Sequence, residues 1–355
     1  MKKAILTGLL VCTALLAFIP AACTSNKSSS ATSTSSAAIN PGTQQSINQM
    51  KAALGAMPKL NTGDKIGVLL ITLANPFWVT MQKDYQALAD TFGVKIDIYA
   101  APTENDDQAQ LNTLESMTAQ NYKAIIFTPI NQSNLIPGIV MANKKGIYMI
   151  DSGPSEDATS LTNAGGHVDA WININFAIQG QLAAQDIVKK LGTAGGKVVV
   201  IQGIPGAGQS DARTQGAENV FNSSPNIKVL PHQAGNWDRP TALTITQNLL
   251  QANPDLKAIY CCNDDMAMGA LAALAAAGNK NVLVYGADFI QEASDAIAGG
   301  TMAGTTTFSE AALAQGGVIA ALKLIQGMKD IPKGEVDLPI ALITKDNLQQ
   351  YVGFN

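Results

Sequence analysis

The chain has 355 residues, 14% of them charged, and a formal net charge of −4. That length buries a large core and suggests two domains. No basic block appears, which argues against a nucleic-acid partner, and His167 and His232, neither with a second histidine at helical spacing, offer no metal set.

Lys2 and Lys3 precede an apolar run over residues 4–19, and small residues then lead to Cys23. This pattern predicts a signal peptide over 1–22 rather than a transmembrane helix, for which the run is short. The ending Ile19-Pro20-Ala21-Ala22-Cys23 resembles a bacterial lipoprotein cleavage box, with Cys23 as the lipidated N-terminus. Pro20 stands where such boxes usually carry leucine, so cleavage without lipid stays open. Ten of the 13 residues over 24–36 are Ser or Thr, and polar sequence continues beyond them. A tether is expected over 23–63. Once Cys12 and Cys23 are assigned to signal and lipid, Cys261 and Cys262 remain. Neighbours in a strand point to opposite faces, so these two are read as small apolar residues of a buried strand, not as a disulfide.

From residue 64 short apolar runs alternate with helical stretches. Strands are predicted at 65–72, 95–99, 124–128, 147–150, 197–202, 227–230, 258–262, 282–285 and 303–307. Helices are predicted at 77–92, 106–120, 134–144, 176–191 and 213–222. This alternation predicts an α/β fold with parallel sheets covered on both faces. The rhythm restarts at KVVVIQ (197–202), so the strands divide into two similar lobes joined near residues 171–176. One continuous sheet would be too wide.

Ligands of such sheets bind beyond the carboxyl ends of the strands. Polar and aromatic residues recur there. Asn75, Phe77 and Trp78 follow the first strand, Asp151 and Ser152 the fourth. Arg213 follows a glycine-rich turn and Trp237 a short strand. Asn263, Asp288 and Phe308 follow three later strands. Carboxylates, amides and an arginine fork suit hydroxyls, while aromatic faces cover the C–H surface of a ring. That kit predicts a sugar-like ligand. Asp264 and Asp265 are read as the cap and first turn of a helix through Leu274, with Met266 and Met268 on its packed face.

The turn at 203–208 lacks the Gly-Lys-Ser/Thr ending of a phosphate loop and does not fit GxGxxG. No Ser-His-Asp or Cys-His pairing is evident, so no catalytic residue, cofactor or metal is assigned.

Residues 64–343 resemble the ribose-type periplasmic binding proteins, the type I sugar-binding components of ABC importers. The resemblance rests on NPFW (75–78), the Ile150-Asp151 pair, DARTQG (211–216), NWDR (236–239), CNDDMAMGA (262–270) and GAD (286–288). It implies two doubly wound parallel-sheet lobes joined by a three-segment hinge, 64–174 plus 309–337 and 175–308 plus 338–355. A helix near 310–328 would return to the first lobe. Asn75, Phe77, Trp78 and Asp151 would then contact the ligand from the first lobe, and Arg213, Trp237, Asn263 and Asp288 from the second. Ser152 replaces the arginine of ribose binders, Thr128 an asparagine, Ala287 an aromatic and Phe308 a glutamine. These departures point from ribose toward another pentose, a hexose or a polyol.

The resemblance implies a monomeric, extracytoplasmic, non-enzymatic receptor. It would capture a sugar or polyol, pass it to ABC permease subunits, and be held to the membrane by lipid on Cys23. The alternative is a lipid-anchored sensor feeding a chemotaxis or kinase partner. A LacI-type repressor would need an N-terminal helix-turn-helix where the signal and tether stand, and a sugar-acting enzyme would need a water-activating carboxylate pair.

Overall fold

A computed structural model describes residues 39–59, 63–332, 334–351 and 353–354. The predicted signal peptide and Cys23 lie outside them. The first half holds α1 (Pro41–Leu54), β1 (Lys65–Thr72), α2 (Pro76–Phe92), β2 (Lys95–Ala101) and α3 (Asp107–Thr118). There follow β3 (Ala124–Phe127), α4 (Ile136–Lys144), β4 (Tyr148–Gly153), α5 (Ala158–Asn163) and β5 (Ala170–Asn173). The second half holds α6 (Phe176–Leu191), β6 (Gly196–Gln202), α7 (Gly208–Asn222), β7 (Ile227–Val229) and β8 (Gln233–Ala234). It continues with α8 (Arg239–Ala252), β9 (Leu256–Cys261), α9 (Asp264–Ala276), β10 (Leu283–Ala287), α10 (Gln291–Gly299) and β11 (Gly304–Thr307). Last come α11 (Glu310–Ile325), β12 (Val336–Asp337) and β13 (Ala341–Thr344).

The strands form two sheets, ordered β12-β5-β4-β3-β1-β2 and β13-β11-β10-β9-β6-β7, with β8 paired to β6. The order is the same in both, with the reversal at β1 in one and β6 in the other. Pairing is parallel except at β13, which runs antiparallel to β11. A single edge strand of opposite sense is common in such sheets. The chain passes between the sheets three times: after β5, before α11, and between β12 and β13. Helix α11 buries nearly its whole length against β3, β4 and β5 of the first sheet, under α1 and α2.

The segment expected to be a tether over 23–63 is corrected by α1. Asn40 caps this helix with its side-chain oxygen, Pro41 opens it, and Thr43, Ser46, Ile47, Met50 and Leu54 form its buried stripe. The stripe lies on α11. Buried Lys323 of α11 donates to the Leu54 carbonyl and pairs with Asp330 at 3.0 Å, satisfying the helix end. At its other end, Asn40 Nδ2 donates to Gln350 O at 3.0 Å and Thr43 Oγ1 to Phe354 O at 2.6 Å. Polar composition hides this helix in the sequence, because three spaced apolar residues suffice once α11 offers a surface.

Strand β5 is a second departure. It lies in the stretch read as connection, and its short run AWIN becomes a strand by pairing with β4 on one side and β12 on the other. Cys261 and Cys262 are both buried and free, as the strand reading expects.

Candidate functional site

The carboxyl ends of both sheets open on one cavity with about 460 Å³ of empty space, solvent at its mouth included. Asn75, Phe77, Trp78, Ser152, Arg213, Trp237, Asn263, Asp288 and Phe308 all line it. So do Glu104, Gly153, Pro154, Ile174, Phe176, Gln209 and Leu313. At its lip, a Cβ on Gly208 of α7 would sit 3.3 Å from Pro154 and 3.9 Å from Gln132, so the two lobes nearly touch there.

Two asparagines serve the site through one local device. Asn75 caps α2, its Oδ1 accepting from Phe77 N at 3.0 Å, which leaves its amide nitrogen to donate to Glu104 Oε1 at 2.8 Å. Asn263 caps α9, its Oδ1 accepting from Met266 N at 2.9 Å. Its Nδ2 is buried without a partner. Capping consumes the oxygen of each side chain and aims the nitrogen past the strand end.

Arg213 is the hub of the second lobe. Its Nε donates to Gln179 Oε1 at 2.9 Å, Nη1 to the Cys262 carbonyl at 2.7 Å and Nη2 to Asp288 Oδ1 at 3.1 Å. The guanidinium lies 5.2 Å from the Phe176 ring centroid. Burial pushes Asp288 up to about 6 even though Arg213 pulls it down. Asp288 has φ 113° and Trp237 has φ 63°, a region rare for residues other than glycine. Backbone strain of this kind concentrates where geometry serves a site. The Trp237 ring is seated on Gly203, where a Cβ would meet it at 2.2 Å.

Aromatic rings form the floor. Phe77 and Trp78 meet edge to face at 4.8 Å, Phe77 and Phe308 at 5.8 Å, and Phe176 and Phe308 at 6.3 Å. Ser152 bonds the buried Tyr85 hydroxyl.

Asp151 is the exception among the expected site residues. It does not line the cavity, because successive residues of β4 point to opposite faces and Ser152 takes the cavity side. Asp151 Oδ2 accepts from Glu156 N at 3.3 Å instead, and burial beside Glu156 raises its carboxyl well above the usual range. The α9 cap is also corrected. Asn263 holds it, while Asp264 is buried on Thr305 Oγ1 (2.7 Å) and Ile290 N (3.1 Å), and Asp265 pairs with Arg239 at 2.7 Å.

Two polar residues of the cavity went unsingled in the sequence, and each carried a signal. Glu104 follows β2, where the strand-end rule points. Gln209 stands four residues before Arg213, on the same face of α7. Its Oε1 is buried without a partner. Phe176, at the start of α6, sits in the crossover and is recognisable only once the lobes are assembled.

Desolvation pushes several carboxyls up: half-buried Glu104 and Asp84 to about 7 and buried Glu156 to about 8. In the unfolded chain such groups ionise near pH ~4. Between these values the folded chain binds more protons, so stability falls as pH rises. The ligand-free protein is therefore expected to melt higher at pH 5 than at pH 8, and Glu156→Gln to flatten that slope. A melting temperature that climbs over this interval contradicts the assignment.

The periplasmic binding protein domain family matches residues 66–329. The D-allose-binding periplasmic protein of Escherichia coli K12 is 40% identical over 266 residues, covering 75% of this chain and 86% of that protein. The ABC transporter periplasmic solute-binding protein of Actinobacillus succinogenes 130z, solved with bound D-allose, superposes with a TM-score of 0.75 at 30% identity. That match covers 81% of this chain and 100% of that one. The Caulobacter myo-inositol binding protein, solved with myo-inositol, superposes with a TM-score of 0.74 at 29% identity, over 83% and 98% of the two chains.

Proposed function

This chain belongs to the periplasmic binding protein family, and from that premise we propose that it captures a monosaccharide or polyol between its lobes for delivery to an ABC permease. The family acts outside the cytoplasm. The observation that carries the proposal is one cavity walled by both lobes, with aromatic faces below and the partnerless atoms Asn263 Nδ2 and Gln209 Oε1 at its sides. The rings bound by its relatives, D-allose and myo-inositol, present the matching pattern of C–H faces and hydroxyls.

The mechanism is ligand-driven closure. Contacts to both lobes exist only when the cleft is shut, so the ligand stabilises the shut form and nothing is done to its covalent bonds. Asn75, Phe77, Trp78 and Ser152 act from the first lobe; Arg213, Trp237, Asn263 and Asp288 act from the second, with Phe308 at the crossover. Asp151 acts only by holding the Glu156 loop behind it. The n-region, apolar run and Cys23 support a lipid anchor, with the Ser/Thr-rich stretch over 24–36 as part of the tether of a monomeric receptor.

Titration calorimetry and thermal melting with pentoses, hexoses and polyols test the reading. A ligand at 100 times its dissociation constant stabilises the fold by ~2.7 kcal/mol. One tight, chemically unchanged binder is the expected result. Silence across the panel, or turnover of the bound sugar, would overturn it.

A further inference from the structure

Charge in the cavity does not balance. Arg213 and Asp288 neutralise each other, and nearby Asp265 is paired with Arg239. Glu104 is half-buried in the wall, where its Oε1 accepts from the neutral amide of Asn75. Among the described residues, no lysine or arginine forms an ion pair with Glu104. Ser152, which shares the wall, is neutral as well.

Arg213 directs Nε, Nη1 and Nη2 at protein acceptors. Two of the five guanidinium N–H groups and the buried Asn263 Nδ2 remain as donors, beside the unpartnered acceptor Gln209 Oε1 and the remaining lone pairs of Glu104. A carboxylate accepts about four hydrogen bonds, and one is made. A neutral hydroxyl can donate to the carboxylate but brings no charge, so a plain polyol leaves Glu104 without a counter-charge. An ammonium group donates three times, accepts none, and brings the missing positive charge.

We propose that the ligand carries a cationic amine alongside its hydroxyls, an amino sugar or amino polyol, with the ammonium seated on Glu104. This rests on the reading of the cavity as a sugar or polyol site and adds the charge of the occupant. The aromatic floor covers the C–H face, Asn263 and Gln209 address hydroxyls, and Glu104 supplies a charge-assisted hydrogen bond in a desolvated wall. The rise of the Glu104 carboxyl to about 7 without ligand is the cost of holding it there without a cation.

The test is calorimetric titration of the purified protein at pH 7.5. The probes are D-glucosamine, D-galactosamine, D-mannosamine and D-allosamine, each beside its parent hexose and its N-acetyl derivative. At least one amine is expected to bind about tenfold or more tighter than its parent. N-acetylation, which removes the charge, should abolish that advantage. Glu104→Gln keeps an oxygen for Asn75 and should make amine and parent equal, and its melting temperature shows whether the fold is intact. Should it not fold, the amine, parent and N-acetyl series on the unaltered protein decides alone. A parent hexose that binds as tightly as its amine, or a preference that survives Glu104→Gln, overturns the charge assignment and leaves the sugar reading standing. Silence from every probe overturns the charge assignment, and the sugar reading falls with it only if the pentoses and polyols are silent too.

Discussion

Arg213→Met is expected to abolish ligand capture and to cost the fold about 3–5 kcal/mol, the usual penalty for removing one partner of a buried ion pair. The pair is 3.1 Å long, with the Arg213 and Asp288 side chains 5% and 7% exposed. Without the guanidinium, the Asp288 carboxyl, the Cys262 carbonyl and the Gln179 side chain each lose one hydrogen-bond partner. Asp288, already raised to about 6 with Arg213 present, then stays protonated to higher pH. The double variant Arg213→Met/Asp288→Asn separates the two effects. It removes the stranded carboxyl and should regain part of the stability, read by urea unfolding, while calorimetry still finds no ligand. A single variant as stable as the parent would mean that the pair lies open to solvent.

The second large effect is expected far from any ligand contact. Gly180 of α6 and Gly216 of α7 face each other's helix, and α6 and α7 share an extended contact. A Cβ on Gly180 would stand 2.0 Å from the Arg213 carbonyl, and one on Gly216 would stand 2.1 Å from the Ala177 carbonyl. Backbone cannot rotate away as a side chain can, so either alanine must push the helices apart. Gly180→Ala is expected to cost about 3 kcal/mol or more, at the upper end of overpacking. It should also weaken ligand binding, because the residue struck is Arg213. Gly299→Ala, where the new methyl meets open space, is the control and should change the melting temperature little. Equal behaviour of the two variants would show that α6 and α7 can part without penalty.

Much of this architecture is legible in the chain because it is local. The strand at 65–72 and the helix at 176–191 appear with the same bounds in sequence and structure, each marked by apolar period and by its terminal residues. Parallel strands must send their carboxyl ends to one side, so residues after strand ends converge whatever the details of pairing. That is why Asn75, Asn263 and Asp288 could be named in advance, though the chain separates them by up to 213 residues.

Other features depend on what an element meets. Helix α1 has too weak an apolar stripe to declare itself and exists against α11. Strand β5 has four residues and needs a partner on each side. Asp151 and Ser152 are adjacent in sequence, and only the side of the sheet that meets the second lobe settles which one sees the cavity. The sequence by itself therefore determined most of the elements, the two-lobed order and the end of the sheets at which a ligand sits. Tertiary structure decided which face each strand-end residue presents, and which charges are paired. Those depend on burial between segments distant in the chain, where one carboxylate, Asp288, meets an arginine and another, Glu104, meets only an amide.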